Sequence, residues 1–459
     1  MAMRVTTNMA MNLYRYNLRN ATARMAGSQN VLSGDYRKFS SFSEDPTSAV
    51  QAWQIRRAMV DNATYQNNNQ DTKNRFNVAF ATMGVVTYDL VDEAAEDATI
   101  RGMNHPTGGA RVQVGEVLKN TADSVIEAMN SAKYVDHFVF SGKDEMNPPL
   151  TWDGEKLYYR GINVNAGGVK NPSELPVPSW ARDPDSGELI GVNPGDGLPD
   201  GMPAASDDLY EQAWIEYYRN SAAGEPAFDP RQEPGEANWG KADEFGVPEA
   251  TRNVTDADAA YNRLWAEYYN DQGDLARLEK MMKEEQNVDM GMGLEEKDGK
   301  LVKGTAFNRA LPAIQMLGYG VDENGDPNNV VLVMKRLGEI FADCDPESGS
   351  YDKEHPGDWT TEKCKELEAE ANRLMDKLKL GLDNCISEYS GITTKTQFLE
   401  QNQDRMKLQG DYLNEDRESI ENYDPAEAIS NFMYDYYCYN AALKVGTQLL
   451  SQSLIDYMN

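Results

Sequence analysis

The stretch ALKVGTQLLSQSLIDYMN, residues 442–459, departs from the composition of the rest of the chain. The protein of 459 residues carries a formal net charge of −31, whereas this stretch contains only two charged side chains, Lys444 and Asp456. A helix that lacks charges on its outward positions is poorly suited to face water. The stretch therefore indicates a helix that is covered on several sides.

A long final helix is predicted to begin at Asp424. Asp424 can cap this helix, Pro425 suits its first turn, and Glu427 can complete a capping box. Apolar side chains then recur every seven residues, which is the spacing of a coiled-coil seam. The predicted seam and its flanking positions are Ile429, Tyr436, Leu443, Leu450 and Tyr457, with Phe432, Met433, Leu449 and Leu454. Only Gly446 is expected to interrupt the helix.

A matching seam is predicted at the start of the chain. Met11, Leu18, Met25 and Leu32 recur every seven residues, and Gly34 then ends the pattern. The next helix is predicted to begin with Asp45 as its cap and Pro46 in its first turn. We expect it to run to about residue 98.

Two further apolar faces are predicted in the helices that follow. The second half of the helix beginning at Pro46 carries Phe76, Phe80, Met83, Thr87, Leu90 and Ala94 at alternating steps of four and three. The helix after it carries Val114, Leu118, Thr121, Val125, Ala128 and Ala132 on one face. Both faces are expected to be buried.

Charge depletion marks both ends of the chain. The first 34 residues contain four arginines and no acidic residue, and residues 429–459 contain three charged side chains. Two such helices cannot cover each other completely, so their remaining faces are expected to bury against further copies of the chain. The alternative is one ordinary intramolecular bundle. A membrane-surface helix is disfavoured, because such helices carry a face rich in Lys and Arg.

The middle of the chain, residues 143–345, is rich in Pro and Gly and is predicted to be an inserted domain with short strands and some helix. The fragments WIEYY (214–218) and WAEYY (265–269) resemble each other, but five residues do not establish a repeat. The segment DENGDPNN (322–329) begins like a calcium loop. However, Pro327 replaces the required glycine and Val333 the bidentate glutamate, which argues against calcium.

Composition excludes several classes of function. A pI near 4.5 disfavours nucleic acid and anionic membranes as partners. The four cysteines, Cys344, Cys364, Cys385 and Cys438, form no CxxC pair and are predicted to be free thiols, and the three histidines have no metal-ligand spacing. No run of 18 apolar residues and no classical secretory signal is recognised. We expect no cofactor, no metal site and no membrane insertion.

Three blocks of sequence resemble the bacterial flagellin family. They are the amino-terminal arm from MRVTTNM (3–9) to VLSG (31–34) with SEDPTSA (43–49), the phrase HFVFSG (137–142), and SIENYDPAEAISNF (419–432), which leads into the final stretch. The Ser-Leu-Ile-Asp-Tyr ending is most similar to the branch called hook-associated protein 3, the hook-filament junction proteins. The resemblance covers residues 1–142 and 360–459 well and the middle only partly.

The resemblance implies a mainly α, flagellin-like fold with long terminal coiled-coil helices, a helical rod domain and an inserted α+β or β-rich outer domain. The implied domains are 1–42 and 425–459 (two halves of an inner core domain), 43–142 and 346–424 (two halves of the rod), and 143–345 (the insertion). The core packing implied is that of Met11, Leu18, Met25 and Leu32 against Leu443, Leu450 and Leu454. Gln448, Ser451, Gln452 and Asn459 would suit the wall of a central channel, although ordinary surface positions explain them equally well.

The function implied is structural, not enzymatic. Such subunits assemble with themselves, contact a hook-associated protein on the hook side and flagellin on the filament side, and are exported with a chaperone by the flagellar type III apparatus to the extracellular hook-filament junction. The alternative within the family is a filament flagellin. A flagellin scaffold carrying an adhesive or enzymatic insert is a different class; residues 143–343 contain no histidine, no cysteine and no G-x-S-x-G motif, whereas their abundant carboxylates leave a glycosidase open.

Overall fold

The computed structural model describes residues 7–39, 41–104, 109–184, 186–342 and 362–458. The chain is mainly helical, with 62% helix and 7% strand, in agreement with the predicted class. Residues 1–70 and 400–459 form one compact unit, here called the terminal unit. Residues 71–399 form the second, the central unit.

The helices follow one another in this order: α1 (Thr7–Ser33), α2 (Pro46–Gly84), a π-helix (Val85–Glu96), α3 (Asp97–Met103), α4 (Gly109–Ser131), α5 (Leu209–Ala223), α6 (Glu236–Trp239), α7 (Ala260–Met282), α8 (Ala313–Leu317), α9 (Val330–Ala342), α10 (Glu362–Glu421) and α11 (Pro425–Met458). Short 3-10 turns lie at Pro172–Glu174, Ser179–Ala181 and Glu249–Asn253. The final helix continues through Gly446 without a break.

The strands are short and antiparallel. They form four small sheets: β1 (Lys133–Tyr134) with β2 (His137–Phe138), β3 (Leu150–Trp152) with β4 (Leu157–Tyr159) and β5 (Ile162–Asn163), β6 (Asn287–Val288) with β9 (Phe307–Asn308), and β7 (Glu296–Lys297) with β8 (Lys300–Leu301). All of them belong to the central unit.

Local side chains determine where two of the long helices begin. The Ser48 amide donates a hydrogen bond of 3.1 Å to the Asp45 carboxylate, and the Ala426 amide donates one of 2.7 Å to Asp424. Hydrogen bonds from Ser48 lower the pKa of Asp45, which favours the ionised form that caps the helix. Pro46 and Pro425 occupy the first helical positions, as the sequence predicts, and Glu427 lies in the first turn of α11.

The π-helix shifts the buried face of the helical segment that follows α2. Phe76, Met83 and Thr87 are buried, as their spacing predicts, but Phe80 is exposed. Further along, Val91 and Ala95 are buried completely, whereas Leu90 and Ala94, one residue earlier, are only half-buried. The cause is the i→i+5 hydrogen bonding of residues 85–96, which widens each turn and moves the inward position by one residue.

Helices α4 and α9 pack closely at the centre of the central unit. Leu118, Thr121 and Val125 of α4 are buried, in agreement with the predicted face, and so is Ala132 just after the helix; Val114 and Ala128 are half-buried. The helices meet at two glycines: a Cβ atom on Gly115 would lie 2.6 Å from the Gly338 carbonyl oxygen, and one on Gly338 would lie 2.7 Å from the Gly115 oxygen. Their backbones can approach this closely only because neither residue has a side chain.

Part of the predicted insertion belongs to this same core. Leu150, Leu157, Ile314, Val333 and Leu337 are buried together with Leu118 of α4 and with Leu374 of α10. Within the described residues, three separate small clusters lie between residues 177 and 269, and two of them are centred on Trp214 and on Trp265. Helix α9 belongs to the main core because it is apolar on most sides. A helix with so many buried positions has to be covered by several other elements.

A buried ion network holds the segment HFVFSG in place. Arg75 is buried and pairs with Glu145 at 2.5 Å, and it also donates to the Val139 carbonyl at 3.1 Å. Arg309 lies 3.5 Å from the same Glu145 carboxylate. Burial lowers the pKa of Arg75, and the nearby Glu145 charge opposes that effect. The residues of the family-like phrase thus serve packing within the central unit.

The calcium-like loop is neutralised by cations of α10. Arg373 donates to both oxygens of Asp326, at 2.7 and 3.2 Å, and Lys377 lies 3.0 Å from Asp322. The Asp322 carboxylate also accepts from the Asn324 and Asp326 amides, each at 2.9 Å. In the described part of the chain, no group of three or more His, Cys, Asp or Glu side chains could hold a metal ion.

Two of the four cysteines have described surroundings, and both are free thiols: Cys385 is buried in α10 and Cys438 is half-buried in α11. Burial raises the pKa of Cys385 to about 12, and the negative charge of Glu388 adds to the shift. Since the reactive species is the thiolate, Cys385 has almost none at neutral pH. Cys344 lies outside the described residues, and the side chain of Cys364 is not described.

We expect Cys385 to resist alkylation in the native protein. At pH 8, N-ethylmaleimide should modify Cys385 about a hundredfold more slowly than Cys438, because Cys385 is both buried and protonated. Mass spectrometry of the tryptic peptides measures the two rates, and urea should make them equal. Equal rates in the native protein would contradict the burial of Cys385.

Candidate assembly surface

Helices α1 and α11 form the antiparallel pair of the terminal unit. The Ser28 hydroxyl donates to the Asp435 carboxylate near one end of the contact, and Tyr14 lies against Gly446 near the other. A Cβ atom on Gly446 would overlap the Tyr14 hydroxyl, so only glycine at this position leaves room for the tyrosine ring. Glycine lowers the intrinsic stability of a helix, and the contact with Tyr14 explains its presence here.

One side of α1 is less exposed than the others in the single chain. The least exposed positions of α1 include Met11, Leu18, Met25 and Leu32, together with the intervening Tyr14 and Ala21. All of these are half-buried, and most of the positions between them are exposed. In the chain alone α11 covers one side of α1 and leaves the rest open.

The seam of α11 is displaced by one residue from the predicted stripe. Its less exposed positions include Ala428, Phe432, Asp435, Tyr439, Ala442 and Gly446. Tyr436 and Leu443, which were predicted to pack, are 50% and 38% exposed in the single chain. The reason is that α11 is apolar on most sides, so seven-residue spacings occur in several phases and Gly446 and Asp435 select among them. A role of Tyr436 and Leu443 between subunits remains a prediction.

The displaced seam leaves an apolar stripe on the outside of α11. We call it the outer stripe; it consists of Ile429, Met433, Tyr436, Tyr437 and Leu443. Tyr437 is 73% exposed, the largest value among them. On α1, Met9, Leu13 and Tyr16 are exposed as well. Soluble monomers rarely expose so many large apolar side chains together, so this surface has the character of an interface.

Few charges surround the outer stripe. Residues 7–33 carry three arginines and no carboxylate, and Lys444 is the only cation of α11. A partner with an apolar surface could therefore cover these helices without burying many unpaired charges. The large net charge of −31 resides in the rest of the chain.

The two segments that lead into this helix pair run side by side. Arg37 and Asn422 form an antiparallel β-bridge. The Lys38 amide donates to the Glu421 carbonyl at 2.7 Å, and the Tyr423 amide donates to the Tyr36 carbonyl at 2.8 Å. Tyr36 has a positive φ of 63°, an uncommon conformation for a residue with a side chain. The bridge fixes the spacing at which α1 and α11 leave the connecting segments.

In the terminal unit, polar side chains also join α2 to α10. Asn62 and Gln66 each donate to the Met406 carbonyl at 3.0 Å, and Asn69 donates to Gln403 at 2.8 Å. Amide groups that bond to one another specify a register more strictly than apolar contacts do, because a shift would leave them unpaired. No spacing rule applied to the sequence identified these asparagines and glutamines as packing residues.

Several predicted positions fall beyond the side chains that the structure describes. They are Leu449, Leu450, Leu454 and Tyr457 of the predicted packing set and Ser451, Gln452 and Asn459 of the predicted channel wall. Gln448 lies at an exposed position of α11. The channel role of these polar residues remains a prediction.

Comparison with solved structures gives distant likenesses only. No protein-family model and no curated protein matches the chain. Among solved structures, a proposed flagellar hook-associated protein from Vibrio parahaemolyticus is similar at 12% sequence identity; the match covers 83% of this chain and all of that chain, with a TM-score of 0.41. A likeness this distant does not by itself establish a shared function. Within the described helices, none is long and apolar enough to cross a membrane.

Proposed function

We propose that this chain is a non-enzymatic structural subunit of the bacterial flagellum, and that it connects the hook, through another hook-associated protein, to the flagellin filament. The observation that carries the proposal is the outer stripe on a nearly uncharged helix pair. Such a surface needs other subunits to cover it. The subunits would form a ring or helical assembly through α1 and α11.

The junction position is supported by sequence. The family-like blocks lie in both arms, and the Ser-Leu-Ile-Asp-Tyr ending is the feature most similar to junction proteins. Export through the flagellar type III apparatus, with a chaperone that covers the terminal helices, follows from that position. The likeness to the Vibrio protein points toward the flagellum as well, but the proposal does not depend on it.

Deletion of the gene tests the junction role. Cells should then make hooks without filaments and shed flagellin into the medium, and antibodies to the chain should label a narrow band at the hook end of intact flagella. Label along the whole filament would instead support the alternative, a filament flagellin. Filaments that remain attached in the deletion strain would contradict the junction role.

Hydrogen exchange should distinguish the free subunit from the assembled one. In a verified monomer, amides of α1 and of residues 425–448 should exchange rapidly, because only one side of each helix is covered. Assembly should slow that exchange by about a hundredfold or more, since coverage by neighbours adds several kcal/mol to the opening free energy. Strong protection of both helices in the monomer would argue for an ordinary intramolecular pair.

An adhesive or enzymatic insert remains the alternative from another class. The carboxylates of residues 143–345 are its only support, and many of those with described partners bind backbone amides or neighbouring cations, as Asp271 and Glu284 do. Activity of the full chain against a panel of glycans and peptides would favour this alternative. Wild-type motility with the segment 177–269 removed would favour a role for that segment outside assembly.

A further inference from the structure

Two segments of the central unit share a sequence pattern that is longer than WIEYY and WAEYY alone. Aligning the two tryptophans also aligns Tyr210 with Tyr261, so both segments read Tyr-x-x-x-Trp-x-Glu-Tyr-Tyr. The first pattern lies entirely in α5 and the second entirely in α7. Both helices are preceded by another tryptophan, Trp180 and Trp239, followed by a cation two residues later and a glycine seven residues later.

The aromatic side chains of the two helices also have the same arrangement. In α5, the Trp214 ring lies 5.6 Å from Tyr217 at 84° and 6.1 Å from Tyr218 at 30°. In α7, the Trp265 ring lies 5.8 Å from Tyr268 at 88° and 5.8 Å from Tyr269 at 35°. Neighbouring aromatic rings on a helix can pack in several geometries, so the sequence pattern alone does not require the same ring distances and angles in both helices. The matching geometry is therefore a second observation.

The preceding segments pack on the helices in the same manner. Trp180 lies 5.8 Å from Tyr218, and Trp239 lies 6.0 Å from Tyr269. At the other end of each pattern, the Tyr210 hydroxyl donates to the Leu175 carbonyl at 3.2 Å and the Tyr261 hydroxyl donates to the Gln232 carbonyl at 2.7 Å. Each accepting carbonyl lies in the segment of chain just before the corresponding tryptophan, Trp180 or Trp239.

A similar turn follows each of these tryptophans. The Asp183 carboxylate accepts from the Ser186 amide at 2.8 Å, and Asp243 accepts from the Phe245 amide at 2.9 Å. Gly187 and Gly246 complete the two turns with φ of 71° and 82°, a conformation that favours glycine. The turns close with isolated bridges, Arg182 with Leu189 and Ala242 with Pro248.

Equivalent positions of the two helices meet each other. Arg263 donates to Gln212 at 2.9 Å, and these residues occupy the same place in the aligned pattern. Ala213 and Leu264, also equivalent, share one small buried cluster with Leu209 and Ala260. The Ala260 amide donates to Glu216 at 2.7 Å, so α5 and α7 run antiparallel. A two-fold axis perpendicular to the helices requires both features, because it brings like positions together and reverses the chain direction.

We infer that residues 171–224 and 230–275 are two copies of one module, paired about a local two-fold axis as a homodimer carried within a single chain. The partner that covers each copy of this module is thus the other copy. At the equivalent positions 209 and 260, α5 has leucine and α7 has alanine, whereas at 213 and 264 α5 has alanine and α7 has leucine. Each helix thus places one leucine and one alanine in the interface, so both contribute the same side-chain volume. The inference is independent of the proposed flagellar role.

One difference between the copies follows from the pairing. Asp208 caps α5 by accepting from the Tyr210 amide at 2.7 Å, whereas Ala259, the equivalent residue before α7, has no side chain that can cap. The Glu216 carboxylate reaches across the two-fold axis and accepts from the first amide of α7 instead. The equivalent Glu267 is exposed, since α5 already has its own cap.

Exchange of the interface between the two helices of the full-length protein tests this inference. The full-exchange variant carries Leu209→Ala, Gln212→Arg, Ala213→Leu, Ala260→Leu, Arg263→Gln and Leu264→Ala; the half-exchange variant carries only the first three. The half exchange places leucine against leucine and arginine against arginine. Overpacking and like charge should lower the amide protection of α5 and α7 about thirtyfold.

The full exchange should restore protection to within about threefold of the wild type, because equivalent helices tolerate each other's residues. Native-state hydrogen exchange resolved by peptide gives both values. A full-exchange variant that is no better protected than the half exchange, or that fails to fold, would overturn the two-fold relation. The amides of α4 and α9 serve as an internal reference and should not change in either variant.

Discussion

Gly338→Ala should destabilise the central unit by about 2–3 kcal/mol, the cost typical of overpacking a close contact. The added Cβ would lie 2.7 Å from the Gly115 carbonyl oxygen and 2.8 Å from the Lys119 side chain. The lysine could move, but the carbonyl is part of the α4 backbone, so the two helices would have to separate. Urea denaturation and hydrogen exchange of α4 and α9 measure the loss.

The matched control is the same change at Gly391, which lies inside α10 with nothing near its missing Cβ. Gly391→Ala should leave stability unchanged or raise it by up to about 1 kcal/mol, since alanine is the better helix former. A similar loss from both substitutions would mean that the close approach of α4 and α9 is not what requires glycine at position 338.

Met433→Glu combined with Tyr437→Glu should abolish assembly and motility while leaving the monomer folded. Both side chains belong to the outer stripe and are largely exposed in the single chain, so their replacement should change monomer stability by no more than about 0.5 kcal/mol. In an assembly that covers the stripe, each copy would bury two carboxylates without partners, at a cost of several kcal/mol per subunit.

The control for this double variant is Leu198→Glu, which replaces another exposed apolar side chain, one located between residues 177 and 269. It should assemble and swim like the wild type. Swimming assays, electron microscopy of flagella and circular dichroism of the purified monomers give the three readouts. Normal filaments in the double variant would show that the outer stripe is not an assembly surface.

Much of the helical organisation could be predicted because it depends on neighbours in the sequence. The starts of α2 and α11 follow from Asp45-Pro46 and Asp424-Pro425, where side chain and ring act on the adjacent backbone. The half-buried positions of α1 include the predicted seven-residue series, and the packing of that series across a seam stays a prediction.

Other features depended on contacts between distant residues and could not be predicted. The spacing in α11 did not select the stripe that faces α1, because that choice depends on Gly446 meeting Tyr14 and on Asp435 meeting Ser28. The spacing after Gly84 did not reveal a π-helix, which moves burial from Leu90 to Val91. Fragments of five residues did not reveal the paired modules, whose tryptophans meet tyrosines far along the chain.

By itself, then, the sequence determined where α2 and α11 begin, that the fold is mainly helical, and that both ends are depleted of charge. The tertiary structure decided which face of α11 is left open, which part of residues 143–345 shares the main core, and how α5 and α7 pair. The physical reason is range: capping and helical periodicity act within a few residues, whereas the phase of a helix that is apolar on most sides is set only by the shapes that pack against it.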